Sequence, residues 1–334
     1  MLMKLFVIAI LSMAVTMVTV SGEGKTMREV ADHLQDISVT IKSEGRYSKS
    51  EGSGAMIIRE VDGQKVTFVW TAAHVIDNLR SVRTVINEKG QPVKLVEFED
   101  PKIVKELVEK GRRVGEMKMD ARVIKYSDAD DGEDLALLMV RARDYAKSGA
   151  KFKIQSAKKD DDNIVPIGTR LFHVGSLLGQ MGANSMTTGI ISQVGRTLGK
   201  VEYDQTTVTA FPGSSGGGVY LTDGRYMGML VRGAGEGFNL IVPVRRMVRW
   251  AEKNDIMWAI DPSVEMPSLD EINEIPVEDA GVGGKKKSDG DDDKSLRSLP
   301  YLIKVTPINE TLDASEELDV RPTDGTISPK LELR

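Results

Sequence analysis

The segment that decides the fold runs from Phe211 to Leu221 and reads FPGSSGGGVYL. Ser215 lies in a run of small residues that leads into the apolar stretch Val219–Leu221, which indicates a tight turn followed by a buried strand. Such a turn leaves a serine hydroxyl uncrowded, and Gly213 allows the backbone amides of Gly213 and Ser215 to point at one spot. Two convergent N–H donors form an oxyanion hole, so Ser215 is a candidate nucleophile. A flexible Gly/Ser linker would lack the apolar strand that follows.

Three histidines are available as the base that such a nucleophile needs: His33, His74 and His173. His74 follows the apolar run Val66–Trp70 in the string TAAHVI, where small residues before it let the imidazole project from a strand end. His33 lies on a predicted helix and His173 inside a predicted strand, so we interpret them as a surface residue and a core residue. Cysteine is absent, which excludes disulfides, thiolate metal sites and a cysteine nucleophile.

An acidic residue is also expected beside the imidazole, because a carboxylate there fixes the tautomer of the ring. Asp134 begins the apolar run DLALL, so its side chain lies at the mouth of a predicted strand. Taken alone, Asp134 is better explained as a simple strand cap. Asp128, Asp130, Asp131 and Glu133 are neighbouring candidates for the same role, so spacing alone leaves the choice open.

The motifs TAAH, DLALL and GSSGG occur in the chain order His, Asp, Ser, and on them the chain resembles the trypsin-like serine proteases. Over roughly residues 40–255 it is similar to the Deg/HtrA-like branch of that family. The matching stretches are 174–180 and 188–196 for the central motifs of the branch, and GRYMGM and FNLIVP for its late strands.

The resemblance implies an all-β fold of two six-stranded antiparallel β-barrels of the chymotrypsin type, followed by a C-terminal helix and a largely disordered tail. In this scheme His74 is the general base, Asp134 orients it, and Ser215 is the nucleophile, while the amides of Gly213 and Ser215 form the oxyanion hole. The implied activity is that of a serine endopeptidase on polypeptides, with no metal or cofactor, and an oligomer is compatible with it. The alternatives are a catalytically silent peptide-binding or chaperone module and a viral or phage processing protease.

Substrate binding is expected where trypsin-like folds build their primary pocket, six residues before the nucleophile and along the strand that follows it. In this chain these positions are Thr209, Val231, Arg232, Gly233 and Gly237. Thr209 is uncharged, so burying a substrate Lys or Arg against it would be costly, and medium apolar side chains are expected. An inward Arg232 would instead favour acidic residues.

Three features depart from the family pattern. The long loop between the histidine and aspartate motifs contains a predicted helix over Pro101–Arg112, because Pro101 and Gly111 are typical of helix boundaries. Ser214 replaces the usual Asn before the nucleophile. No segment after Asp261 resembles a peptide-binding PDZ domain.

The remaining pattern is mostly β, with an Asp62-Gly63 turn that predicts a hairpin. A helix is expected over Val244–Asn254. Further predicted strands are Val93–Phe98, Ala121–Tyr126, Leu135–Val140, Arg170–Val174, Gly189–Val194, Thr206–Ala210, Gly218–Leu221, Tyr226–Val231 and Phe238–Pro243.

The predicted organisation has five segments: an apolar leader over 1–22, a short helix over 23–40, a first barrel over 41–150, a second barrel with a helix over 151–261, and a tail over 262–334. As a helix the apolar run Leu5–Val20 would be about 24 Å long, short of a hydrocarbon core of about 30 Å. It is therefore interpreted as a signal peptide or a membrane anchor, which predicts a secreted, periplasmic or membrane-anchored protein. The net charge of −5 offers no general footprint for nucleic acid.

Overall fold

A computed structural model of the chain describes residues 25–86, 89–109, 111–153, 164–198, 201–233 and 237–279. The predicted leader and residues 280–334 of the predicted tail lie outside these ranges. Within them, no helix has the length and apolar character needed to cross a membrane.

Two closed six-stranded antiparallel barrels account for most of the described residues, which confirms the predicted fold class. The first barrel closes where its strand 102–109 pairs with its strand 38–44. Its strands are β1 (Ser38–Glu44), β2 (Lys49–Val61), β3 (Gln64–Thr71), β6 (Lys102–Glu109), β7 (Arg112–Ser127) and β8 (Leu135–Val140). The turn between β2 and β3 is the predicted hairpin, with positive φ at both Asp62 and Gly63.

The second barrel follows the same plan. Its strands are β9 (Arg170–Leu177), β10 (Gly182–Leu198), β11 (Val201–Thr206), β12 (Gly218–Leu221), β13 (Tyr226–Gly233) and β14 (Asn239–Pro243). The predicted strand Thr206–Ala210 is wrong, because β11 ends at Thr206. There the Thr206 hydroxyl donates to the Ile190 carbonyl and accepts from the Val208 amide, so side-chain bonds replace the ladder.

Helices flank the barrels close to where the sequence predicts them. Helix α1 (Met27–Asp36) begins with a reciprocal capping box between Thr26 and Glu29 and buries two apolar residues. Helix α2 (Val244–Lys253) follows β14 directly and packs on the second barrel.

The predicted helix over Pro101–Arg112 is wrong, since this segment forms β6, a turn and the start of β7. Gly111 has φ of +76°, so it serves the hairpin turn and does not end a helix. Ile103 and Val104 are buried, and β6 pairs with both β1 and β7. These long-range pairings complete the barrel and outweigh the local helix signals.

A separate two-stranded sheet extends from the first barrel. It consists of β4 (Arg80–Ile86) and β5 (Pro92–Phe98), paired in antiparallel register. The second strand was predicted. The first was not, because its alternation of Val and Arg or Thr is short and faces solvent.

The predicted disorder of the tail is wrong for residues 262–279, which pack against the first barrel. This strap, residues 262–279, contains helix α3 (Leu269–Glu274), whose Ile272 is buried. The Tyr126 amide donates to the Val277 carbonyl over 2.8 Å, and Lys125 Nζ donates to the Pro276 carbonyl over 2.8 Å. A low apolar content therefore did not prevent folding, because its few apolar side chains lie against an existing core.

We expect truncation after Asp261 to lower the free energy of unfolding by about 3 kcal/mol relative to truncation after Asp279. Burial of Ile272 contributes about 2 kcal/mol, and a net backbone hydrogen bond to Val277 contributes about 1 kcal/mol. Urea unfolding of both truncated chains measures the difference, which is due to the strap alone. Equal midpoints would contradict the stabilising role of the strap.

Candidate active site

His74 lies in a 3₁₀ turn, Ala73–Val75, directly after β3. Ala72 and Ala73 are fully buried, so the turn packs closely against the barrel. His74 Nδ1 lies 2.9 Å from Asp134 Oδ1 and 3.0 Å from Oδ2, and the His74 amide donates to Oδ1 over 3.1 Å. A carboxylate at Nδ1 holds the proton there in the neutral ring, so Nε2 carries the lone pair.

Asp134 is almost fully buried just before β8, and its φ of +54° lies in the left-handed region. Aspartate tolerates this region better than most residues. Burial by itself would raise the pKa of the Asp134 carboxyl. The charge and hydrogen bonds of His74, with the charge of Arg232, outweigh burial and hold that pKa below its usual range. Asp134 is therefore ionised at neutral pH.

Residues 128–134 form an acid loop that the second barrel holds in place. Arg246 on α2 contacts the Glu133 carboxylate through Nε over 2.5 Å and donates from Nη2 to the Glu133 carbonyl. Arg232 on β13 donates from Nη2 to the Ala129 carbonyl over 3.3 Å. Two arginines thus fix the loop that ends in Asp134.

The hydrogen bonds of the acid loop show which of the neighbouring acidic side chains contacts His74. Asp128 Oδ1 accepts hydrogen bonds from the amides of Asp130 and Asp131, so it caps the loop itself. Glu133 faces Arg246. Asp134 is the candidate that the fold brings to the imidazole.

The nucleophile turn, residues 211–217, requires glycine at two positions. Gly213 has φ of +93° and Gly216 has φ of +85°. A Cβ on Gly213 would lie 2.3 Å from the Ser176 carbonyl oxygen, and one on Gly216 would lie 2.1 Å from the Ser53 carbonyl oxygen. The turn is therefore packed too closely for any side chain at these positions.

Ser214, which replaces the expected Asn, stabilises the same turn. Its hydroxyl accepts from the Phe211 amide over 3.0 Å, and its own amide donates to the Phe211 carbonyl over 2.9 Å. The substitution thus keeps a local hydrogen-bonding side chain ahead of Ser215.

The nucleophile turn lies directly against the segment that carries His74. A Cβ on Gly216 would lie 2.4 Å from Thr71 Oγ1 and 3.1 Å from the Ala72 amide nitrogen. A Cβ on Gly52 would lie 2.5 Å from Val75 and 3.1 Å from the Ser215 carbonyl oxygen. Ser215 and the histidine turn are therefore neighbours where the two barrels meet.

The peptide planes around Ser215 have fixed directions. The Pro212 carbonyl accepts from the Leu178 amide over 2.7 Å, and the Ser214 carbonyl accepts from the Gly217 amide over 3.0 Å. In a trans peptide the N–H points opposite to the carbonyl, so the amides of Gly213 and Ser215 face away from these partners. Within the described ranges, neither amide donates to a protein acceptor.

The residues predicted to bind substrate differ in exposure. Thr209 and Gly237 are exposed, Val231 is buried, and Gly233 is half-buried. The guanidinium of Arg232 reaches the acid loop, as described above. The assignment of these five residues to a pocket stays a prediction.

Asn239 joins two of these segments and was not predicted. Its Nδ2 donates to the Val208 carbonyl over 2.6 Å, and its Oδ1 would lie 2.4 Å from a Cβ on Gly233. The side chain is buried on β14. The only sequence signal was a polar residue inside the apolar run FNLIVP.

The other two histidines do not take the position beside Asp134; His173 packs against the nucleophile turn, where a Cβ on Gly217 would lie 2.5 Å from its Cε1. His173 on β9 is buried, and its Nδ1 faces the Gly218 carbonyl at 3.1 Å; burial lowers its pKa to about 4. This environment confirms the prediction of a core histidine. His33 is half-buried on α1. Among the residues with described coordinates, no cluster of His, Asp or Glu is arranged to hold a metal ion.

Comparison with solved structures finds similarity to several proteases at low sequence identity. An HtrA-type protease, AlgW, with a tripeptide is 17% identical with a TM-score of 0.48, over 70% of this chain and 64% of that one. A serine endoprotease from Yersinia pestis is 17% identical with a TM-score of 0.46, over 69% and 66%. Deg5 is 18% identical with a TM-score of 0.47, over 70% and 94%. The chain thus spans just under two thirds of the length of the first two.

No curated protein matches the chain at a significant level. The family model of the trypsin-like peptidase domain matches residues 52–229, which is just over half of the chain and includes His74, Asp134 and Ser215. The match confirms the resemblance seen in the three sequence motifs. The chain belongs to the trypsin-like peptidase family.

Proposed function

We propose that the protein is a serine endopeptidase that uses Ser215 as nucleophile, His74 as general base and Asp134 as the residue that orients His74. The observation that carries this proposal is the contact of His74 Nδ1 with the buried Asp134 carboxylate, beside the turn that holds Ser215. An ionised carboxylate at Nδ1 leaves Nε2 as the basic atom, which is the atom that a serine hydroxyl needs.

In the first half of the reaction, His74 Nε2 takes the proton of the Ser215 hydroxyl while Ser215 Oγ attacks the carbonyl carbon of the scissile peptide bond. The imidazolium that forms is stabilised by Asp134. Because Asp134 is nearly excluded from solvent, this interaction is stronger than it would be in water. His74 then gives the proton to the leaving amine, and an acyl-enzyme on Ser215 remains.

In the second half, His74 accepts a proton from the water that attacks the acyl carbonyl. It then returns this proton to Ser215 Oγ as the bond between Ser215 and the new carboxyl end breaks. The same residues act twice, so no further group is required for turnover.

The negative oxygen of both tetrahedral intermediates would be bound by the amides of Gly213 and Ser215. Two observations support this assignment of the oxyanion hole: the direction of the two peptide planes, and the lack of a protein acceptor for either N–H within the described residues. One such donor is worth about 3–4 kcal/mol in the transition state. The φ of +93° at Gly213 gives that amide its direction.

The primary specificity pocket is expected to accept medium apolar side chains. Thr209 brings no charge, and Arg232, which could have favoured acidic substrates, contacts the Ala129 carbonyl in the acid loop. Gly233 and Gly237 have no side chains, so the walls of the expected pocket stay open. A peptide-library profile should therefore favour Val, Leu or Met before the cleaved bond, with selectivity limited to about 1–3 kcal/mol per methylene. Dominant cleavage after Lys or Arg would contradict the expected apolar preference. Dominant cleavage after Asp or Glu would indicate that Arg232 binds the substrate side chain.

Hydrolysis of an unfolded protein substrate tests the proposed activity itself. The wild-type chain should produce new peptide ends at a rate that a fluorophosphonate inhibitor abolishes. A folded chain that hydrolyses nothing, with or without the inhibitor, would contradict the proposal and favour a silent binding module.

A further inference from the structure

Ser53 on β2 of the first barrel is fully buried, yet its amide and its hydroxyl bond to residues of the second barrel. Its amide donates to the Ser215 carbonyl over 2.7 Å. Its hydroxyl donates to the Gly213 carbonyl over 2.7 Å and accepts from the Ser176 amide, also over 2.7 Å. One residue thus contacts both sides of the nucleophile turn and the end of β9.

These bonds hold the two peptide planes on either side of Gly213. The Gly213 carbonyl belongs to the plane after this residue, and Ser53 Oγ fixes it directly. The plane before it is fixed by the Leu178 amide, which donates to the Pro212 carbonyl. Leu178 lies two residues after Ser176, and the Ser176 amide donates to Ser53 Oγ. A single hydroxyl therefore supports both planes.

The turn depends on this support because Gly213 is conformationally permissive. Glycine at φ of +93° has no side chain to restrict it, and it populates other regions as readily. Rotation of the Pro212–Gly213 peptide would turn the N–H away from its present direction. A fixed carbonyl on either side of Gly213 opposes that rotation.

We propose that Ser53 is a positioning residue for the oxyanion hole: its hydroxyl holds Gly213 so that the Gly213 amide points at the developing oxyanion. The proposal rests on the proposed function. Ser53 itself does not touch substrate, so its effect falls on the transition state and leaves ground-state binding largely unchanged.

The test compares Ser53→Ala with a matched control, Thr40→Val. Thr40 Oγ1 lies 2.5 Å from Ser176 Oγ, so the control also removes one buried hydroxyl at the contact between the barrels, without touching Gly213. For each variant, kcat and KM on a peptide substrate, the affinity for a peptide boronate that forms a tetrahedral adduct, and the thermal midpoint are measured.

For Ser53→Ala, we expect kcat to fall about 10- to 100-fold with KM within threefold of wild type, because a small misplacement of a catalytic group has effects of this size. Affinity for the boronate should fall by a similar factor. Thr40→Val should lower the thermal midpoint comparably and keep kcat within threefold.

Three results would overturn the proposal: an unchanged kcat in folded Ser53→Ala, an equal fall in Thr40→Val, or a fall in kcat without loss of boronate affinity. If Ser53→Ala does not fold, Ser53→Cys is tested instead. Its thiol fills the space of the hydroxyl but is only a weak hydrogen-bond donor to the Gly213 carbonyl. Its kcat should fall at least fivefold, and a wild-type kcat would overturn the proposal. A wild-type chain that neither hydrolyses peptide nor binds the boronate identifies failure of the proposed function; activity unaffected by Ser53→Ala identifies failure of this inference alone.

Discussion

Replacement of Ser215 by Ala is expected to lower kcat/KM for peptide hydrolysis by about 10⁴- to 10⁶-fold, because the proposed acyl-enzyme could no longer form. The residual rate would come from the oxyanion hole and substrate binding. The substitution removes only Oγ, while the backbone bond from Ser53 to the Ser215 carbonyl remains. The fold should therefore persist, and steady-state kinetics with a thermal midpoint measure both quantities.

The neighbouring serine provides the matched control for this prediction. Ser214→Ala also removes the hydroxyl of a buried serine, one that accepts a hydrogen bond from the Phe211 amide. Its loss should be no more than about tenfold, as for a hydrogen bond that supports a turn. A larger loss in Ser214→Ala than in Ser215→Ala would show that the nucleophile has been misassigned.

His74→Ala is expected to reduce kcat about as much as Ser215→Ala, because the residues of a triad act as a unit. Asp134→Asn should reduce it somewhat less, by about 10³- to 10⁴-fold, since an amide can stabilise the wrong tautomer of His74. His33→Ala, on the half-buried face of α1, is the control and should retain wild-type kcat. If a folded His173→Ala variant is inactive while His74→Ala is active, the assignment of the base is wrong.

Most strands of the barrels can be predicted from the sequence because apolar runs and turn residues are local signals. The candidate catalytic residues are proposed from local motifs in the same way. Each proposed catalytic residue lies in a short motif of small or apolar residues at a strand end. Such motifs can be recognised from consecutive residues, without knowledge of contacts distant in sequence. The hairpin at Asp62-Gly63 is local in the same way, since both residues adopt positive φ in the structure.

The errors occur where distant contacts outweigh local signals. The segment Pro101–Arg112 has apolar pairs that fit a helix or a strand, and the pairing of β6 with β1 settles the matter in favour of a strand. Lys105 also contacts Asp36 of α1 over 2.7 Å, a partner that the local pattern does not contain. The strap folds for a similar reason, because Ile272 packs on a core formed by other segments.

The residues that support the site were missed for the same physical reason. Ser53 and Gly213 are 160 positions apart, and Arg246 and Glu133 are 113 apart. No local pattern links such pairs, and each residue alone is an ordinary polar side chain. Their roles are visible only once the two barrels lie together.

The most direct test of the central claim is to map the site of covalent labelling by a fluorophosphonate probe on the intact chain. We predict a single adduct on the peptide that contains Ser215, and its loss in the His74→Ala variant, whose serine lacks a base. An adduct on any other residue, or undiminished labelling of Ser215 without His74, would contradict the proposed mechanism.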